Sequence, residues 1–250
     1  MRLLRLLHEG KERYGTVKGD EIRLLEGSPF KSLKESDARI ELSQTRLLAP
    51  VLPSKALCIG LNYRDHAKEF DLPIPTSPVV FMKPASAVLA PGAEIIRPTM
   101  SRRVDFEAEL VVVIGKKARH VPAIKAFDYI LGYTCGNDVT ARDLQPKEGQ
   151  WTVAKSFDSF MPLGPWIETE VDPSNLAVEA YLNGEKKQSS STANLIFGVP
   201  ELVEFLSSVM TLEPGDVIMT GTPSGVGPMN PGDEIAVEIE GIGRLVNTVR

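Results

Sequence analysis

One stretch, residues 104–115 (VDFEAELVVVIG), sets the strongest limit on what this chain can fold into. Its first half alternates: Val104, Phe106, Ala108 and Leu110 point one way, and Asp105, Glu107 and Glu109 the other. That period of two is a β-strand signal. From Val111 to Ile114 the residues are apolar on both faces, as in a strand that runs through a core. The acidic face therefore leads straight into buried territory. Glu107 and Glu109 would stand ~7 Å apart along it. At an effective dielectric near 20, two like charges at that distance repel by roughly 2 kcal/mol. A divalent cation would offset the repulsion, whereas an edge strand showing its acids to water would avoid it. The stretch alone fits both readings.

The rest of the composition narrows the setting. With 250 residues the chain has ample volume for a core and divides into one large or two modest domains. A net charge of −5 and the lack of any Lys/Arg-rich block argue against a nucleic-acid or anionic-membrane partner. No apolar run approaches the ~20 residues of a membrane helix. The opening MRLLRLLHEGKERYG turns polar too soon for a signal peptide. Cys58 and Cys135 lie in apolar contexts without CxxC spacing, as reduced core residues of a cytoplasmic protein do.

Short strand-like pieces separated by turn residues make residues 1–50 a small N-terminal β domain. Pro50 and Pro53 mark a connector, after which residues 51–250 form the main unit. There, 56–59 and 79–83 read as strands, and 72–78 (LPIPTSP) as an irregular loop. Because that loop follows a short helical run, residues 62–77 together are expected to form a mobile lid. Pro122 opens a helix with Ala123, Ala126 and Phe127 facing inward. Further strands are expected at 166–171 and 178–182, the latter closed by an Asn183-Gly184 hairpin turn. Residues 188–194 (QSSSTAN) read as a polar loop, and 200–212 as a helix packed on the core.

Several residues could carry chemistry, each with a plainer alternative. His66 and Glu69 would share a helix face, where a carboxylate orients an imidazole and raises its basicity, as suits a general base. Any surface helix with this spacing looks the same. Asn137-Asp138 falls where a strand should end. Asp138 as a third oxygen donor beside Glu107 and Glu109 would make the all-carboxylate site that Mg²⁺ or Mn²⁺ prefers over zinc. A lone Asp there is equally at home as an Asx turn. Arg142 and Gln145 would share a face with Asp138 if the chain turns helical. Lys155, among apolar neighbours, either snorkels or meets an anion. The glycine-rich run 220–227 (TGTPSGVG) could present backbone N–H groups to a carboxylate or phosphate, although it lacks the Walker ending.

In their order, VDFEAELVVVIG, GYTCGNDVTARDLQ, the Lys155 segment, GLNYRDHAKE and GTPSGVG resemble the fumarylacetoacetate hydrolase family over about residues 50–250. The resemblance implies an α+β, predominantly β fold, a mixed β-sandwich roll with few helices, usually dimeric. It implies Mg²⁺ or Mn²⁺ held by Glu107, Glu109 and Asp138, and a base at His66 paired with Glu69. Arg142, Gln145, Lys155 and Thr222 match its substrate-anchoring groups. The large animal members carry a fourth acidic ligand where this chain has Ile59, so the site is similar to that of the short bacterial members. Such sites imply a small 2-oxo acid substrate and a metal-stabilised enolate, with Lys155 and Arg142 balancing the anionic charge. The expected reaction is isomerisation or decarboxylation of a 2-hydroxymuconate-type dicarboxylate in aromatic-acid breakdown. The alternatives are an acylpyruvate hydrolase, an oxaloacetate decarboxylase, or a metal-stabilised binding protein without turnover.

Overall fold

The computed structural model describes residues 1–69, 71 and 73–250. Among these the chain is mostly β, in three sheets, with α-helices at Arg64–Glu69, Thr152–Lys155 and Val199–Val209. The acidic stretch is the axis of the largest sheet. It forms two strands, Val104–Phe106 and Ala108–Ile114, with Glu107 at the break between them. Ala108–Ile114 pairs antiparallel with Ile130–Asn137 on one side and with Val217–Met219 on the other. It is thus a central strand, which removes the edge-strand reading. Every residue in it is buried. Its alternate side chains serve two cores: Leu110, Val112 and Ile114 belong to one apolar cluster, and Val111 and Val113 to another. Apolarity on both faces is what such a position demands.

Outward from this axis, Val217–Met219 pairs in parallel with Ala56–Gly60, which pairs antiparallel with Val79–Lys83. In the other direction Ile130–Asn137 meets Met161–Glu168, which in turn meets Arg2–His8. The N-terminal strands Arg2–His8, Lys11–Lys18, Glu21–Leu25 and Glu35–Glu41 therefore extend the main sheet, around a cluster of their own that includes Leu4, Leu6 and Ile22. A five-stranded sheet, ordered Glu185–Ser191, Ala177–Leu182, Glu234–Ile239, Gly243–Val249 and Glu94–Ile95, packs its buried face into the first core. Thr140–Ala141, Val104–Phe106 and Gly227–Met229 make a small third sheet.

Several local expectations are corrected. The segment after Pro122 is a 3₁₀ helix, Ala123–Tyr129, that buries Ala126 and leaves Phe127 outward. A 3₁₀ turn brings only every third residue to one face. The expected strand at 166–171 is Met161–Glu168. The run 188–194 is no loop: Glu185–Ser191 is a strand opposite Ala177–Leu182. Its serines are half-buried or exposed, but Gln188 is buried. The helix over 200–212 is Val199–Val209, its entry closed by Glu201 Oε2 accepting from the Gly198 N–H at 2.7 Å. Val209, expected in the core, lies exposed at its end.

Candidate active site

Glu107, Glu109 and Asp138 come together because two neighbouring strands end at the same level. Ala108 pairs with Asn137, and Asp138 follows directly. The Asn137 side chain locks the junction, its Oδ1 accepting from Glu107 N at 2.9 Å, while Asp138 N donates to Glu107 O at 2.9 Å. One carboxylate oxygen from each of the three acids lies within 4.8 Å of the others, and all three residues are buried. Asp105, on the same acidic face, is drawn off by arginines: Arg103 Nε donates to it at 2.9 Å, as does Arg142 Nε.

Two ammonium groups sit against the triad. Lys155 Nζ donates to Glu107 Oε2 at 2.9 Å and to Asp138 Oδ2 at 2.6 Å. Lys83 Nζ donates to Asp138 Oδ1 at 2.6 Å and to Val139 O at 3.1 Å. Burial alone would raise the Glu107 carboxyl, but Lys155 and then Arg142 outweigh it and hold the pKa down to about 2. Burial likewise works against a charged Lys155, yet Asp138 and Glu107 push its pKa up to about 12. Glu109 is the exception. Burial, then the charges of Asp138 and Glu107, raise its carboxyl well above the usual range. Among the described residues its only hydrogen bond comes from Gly221 N, at 2.8 Å.

Lys83, Lys155 and Arg142 are paired with Asp138 and Glu107, whereas among the described residues the Glu109 carboxylate has no cation within ion-pair distance. A buried charge without a partner is costly, so the cluster fits one more cation. Its all-oxygen donor set suits a hard divalent ion such as Mg²⁺ or Mn²⁺.

A cavity of about 670 Å³ opens onto this wall. Glu107, Glu109, Asp138 and Lys155 line its charged side, with Arg142, Gln145, Thr222 and His66 also on its surface. Leu61, Phe81 and Trp151 are apolar lining opposite in character. Trp151 lies close over Gly60, where a Cβ would meet its ring at 2.4 Å. Ile59 also lines the cavity, so the fourth acidic position of the large family members is apolar here. Glu69 is set back from it. Its Oε2 stands 3.1 Å from His66 Nδ1, and Gly225 N donates to its Oε1 at 3.2 Å.

Other expectations change in detail. Arg142 and Gln145 belong to a short 3₁₀ turn and its flank rather than to a helix running from Asp138. Arg142 is already engaged, by Nε to Asp105, by Nη1 to Gln145 Oε1 at 2.6 Å, and by Nη2 to Glu107. In the glycine-rich run, Gly221 N and Gly225 N already donate to carboxylates of this chain, those of Glu109 and Glu69. Nor is the whole of 62–77 a loose lid. Asn62 is buried, bonding Phe197 O and Thr220 O at 3.0 and 2.8 Å, and Tyr63 and Ala67 are buried beside it. Phe70 and Leu72, within the expected lid, lie outside the described residues.

Sequence reasoning missed Lys83, Asn137 and Gln188. Lys83 had a faint signal, since it shares strand parity with the buried Phe81. Gln188 had none: it opens a run of serines.

The family model described as fumarylacetoacetate hydrolase, C-terminal, matches residues 55–250, and one described as Rv2993c-like, N-terminal, matches residues 1–50. The chain is similar to the structure of a 5-carboxymethyl-2-hydroxymuconate delta-isomerase from Mycobacterium smegmatis, with 43% identity, a TM-score of 0.94, and 100% and 99% of the two chains covered. It is also similar to a maleylpyruvate hydrolase from Sphingobium sp. SYK-6, solved with manganese(II) and pyruvate, at 32% identity and a TM-score of 0.84 over 100% and 98%. An oxaloacetate tautomerase of Rattus norvegicus mitochondria, Fahd2a, is 43% identical over 84% of this chain and 71% of its own length.

Proposed function

The chain belongs to the fumarylacetoacetate hydrolase family, and from that premise we propose that it is an isomerase of 2-oxo dicarboxylates. It would move a proton between carbon and oxygen, or between two carbons, while leaving the carbon skeleton whole. The observation that carries this reading is His66, tied to Glu69 and lining the same cavity as the buried triad. Two relatives, the delta-isomerase and the tautomerase, bear names for reactions of this kind.

Glu107, Glu109 and Asp138 would hold Mg²⁺ or Mn²⁺, which when bound supplies Lewis-acid stabilisation to negative charge developing on a 2-oxo oxygen. The proton work falls to His66. A carboxylate can only accept, so Glu69 takes the Nδ1–H and leaves Nε2 as the nitrogen able to remove or return a proton. Lys155 and Arg142 neutralise the acidic wall, so that an anionic substrate can approach it. Lys155 is a poor proton acceptor itself, because two carboxylates keep it charged. Thr222 offers a hydroxyl to the substrate's carboxylate end.

A second reading rests on the apolar side of the cavity. Leu61, Phe81 and Trp151 would suit the acyl part of an acylpyruvate, for whose hydrolysis His66 would take a proton from a water attacking the acyl carbonyl and return it to the departing pyruvate carbon. Incubation with Mg²⁺ or Mn²⁺ and a panel of 2-oxo dicarboxylates in D₂O separates the outcomes. Deuterium exchange or double-bond migration faster than the metal-only control supports isomerisation. Release of CO₂ or a C–C cleavage product replaces it with the lytic readings. Recovery of every compound unchanged would leave a binding protein.

A further inference from the structure

Gln188 joins two parts of the site through three partners, and the chemistry of those partners dictates its orientation. Its Oε1 accepts from Ala108 N at 2.9 Å, the amide between the two triad glutamates. Its Nε2 donates to Pro223 O at 2.8 Å and lies 2.9 Å from Thr222 Oγ1. Ala108 N can only donate and Pro223 O can only accept, so the amide has one possible orientation. One Nε2 hydrogen is committed to Pro223, and the other goes to Thr222 Oγ1. An amide nitrogen does not accept, so the Thr222 hydroxyl must be the acceptor in that pair. Its own proton is left over. Among the described residues no acceptor for it is found, and Thr222 lines the cavity.

We infer that Gln188 is a positioning residue that fixes the polarity of the Thr222 hydroxyl, making it a hydrogen-bond donor toward an anionic oxygen of the ligand. The site thereby selects a carboxylate or oxyanion at this point over a ligand group that must donate. Gln188 does so while bracing the strand that carries Glu107 and Glu109, since the same amide holds Ala108. The inference rests on the proposed 2-oxo acid chemistry for the identity of the ligand, but the polarity follows from the protein's own hydrogen bonds.

The probe is oxalate, a stable analogue of the carboxylate and enolate oxygens of a 2-oxo acid, titrated calorimetrically into Mn²⁺-loaded protein. Thr222→Val should weaken oxalate by about 10- to 100-fold, the scale of a lost hydrogen bond to a charged group. Gln188→Glu keeps an acceptor for Ala108 N but removes the donor that holds the hydroxyl. It should weaken oxalate about as much, with Mn²⁺ affinity changed by less than about threefold. The double variant should bind oxalate within about twofold of Thr222→Val alone, because both changes remove one contact. Should Gln188→Glu fail to fold, Gln188→Met, whose flexible side chain fills a similar volume, takes its place with the same expected non-additivity. Full additivity in the double variant overturns the inference, as does undiminished oxalate binding when Gln188 alone is changed. If the wild type binds Mn²⁺ but not oxalate, the 2-oxo acid reading fails too; if it binds oxalate and only the Gln188 results are contrary, the polarity inference fails alone.

Discussion

The two sides of the cavity are built on opposite principles. The acidic wall rises from central strands. Its carboxylates are nearly solvent-free, and Lys83 beside them is only 1% exposed. The rim that carries His66 is a six-residue helix, Arg64–Glu69, too short to be stable alone. It is held by tethers at its ends and edges: Asn62 to Phe197 and Thr220, Asp65 Oδ2 accepting from Ser190 Oγ at 2.6 Å, and Glu69 to Gly225. The wall buries Glu109, a carboxyl that among the described residues has no cation paired with it, where water does little to relieve its ionised form. The rim holds His66, the proposed proton-transfer group, beside a Glu69 side chain that is 34% exposed. Changes to the wall should therefore register in stability and metal affinity, and changes to the rim in turnover.

The sharpest test of that division is His66→Ala. On the true substrate it should lower kcat by about 10²–10⁴-fold, the usual contribution of a positioned acid or base. KM, Mn²⁺ affinity and melting temperature should barely move. Unchanged kcat would remove His66 as the base, and a large loss of Mn²⁺ affinity would mean that rim and wall are one unit. Glu69→Gln should follow the same pattern more mildly, since it keeps a partner for the ring while losing its charge.

Lys83→Met probes the other side. It leaves Asp138 short of a buried cation, and breaking a buried ion pair from one side costs about 3–5 kcal/mol. Urea unfolding of the metal-free protein should show a loss of that size. A loss below about 1 kcal/mol would mean that the buried charges are relieved by solvent, and the contrast with the rim would collapse. Glu109→Gln is the gentler counterpart. The carboxyl is already pushed toward its neutral form by burial and by Asp138 and Glu107. Neutralising it should leave the apo protein as stable or slightly more so, yet weaken Mn²⁺ by at least about tenfold, as loss of an anionic ligand would. Unchanged Mn²⁺ affinity would take Glu109 out of the metal site.

The same contrast explains what could be read from the sequence. The wall was legible because its strand writes burial twice, once as alternation over residues 104–110 and again as apolarity on both faces beyond Val111. Asp138 could be placed at a strand end for the same reason. The position of Lys83 hinges on which strand lies beside Asp138, and pairing between distant segments leaves no local mark. The rim was legible only as the His66/Glu69 spacing. Its tethers come from residues 62, 190 and 225, far apart in sequence and ordinary in type. The strand carrying Gln188 and Ser190 read as a loop because a serine-rich run has the composition of one. What makes it a strand is its ladder with Ala177–Leu182 and the two site contacts its inward residues make.

Ser190→Ala is the smallest expected effect and the one that bears most directly on how rim and wall are joined. Ser190 and Gln188 are two apart on one strand, so both project to the same face. Gln188 reaches the wall through Ala108, and Ser190 reaches the rim helix through Asp65. If this strand transmits strain between the two sides, cutting the Ser190 contact should disturb both. If it only tethers the helix, the loss stays local: about 1 kcal/mol for one hydrogen bond. We expect the local result. The Ala67 amide, bonded to Tyr63 O at 3.0 Å, should exchange with solvent about three- to tenfold faster, the equivalent of that loss in a local opening equilibrium. Turnover should fall only a few-fold, because the helix spends most of its time docked through Asn62. Mn²⁺ affinity and oxalate affinity should stay at wild-type values, since Glu107, Glu109, Asp138 and Thr222 keep all their partners. Faster Ala67 exchange together with weaker Mn²⁺ binding would show that the strand carries coupling across the cavity, and the division between a rigid wall and a tethered rim would have to be given up.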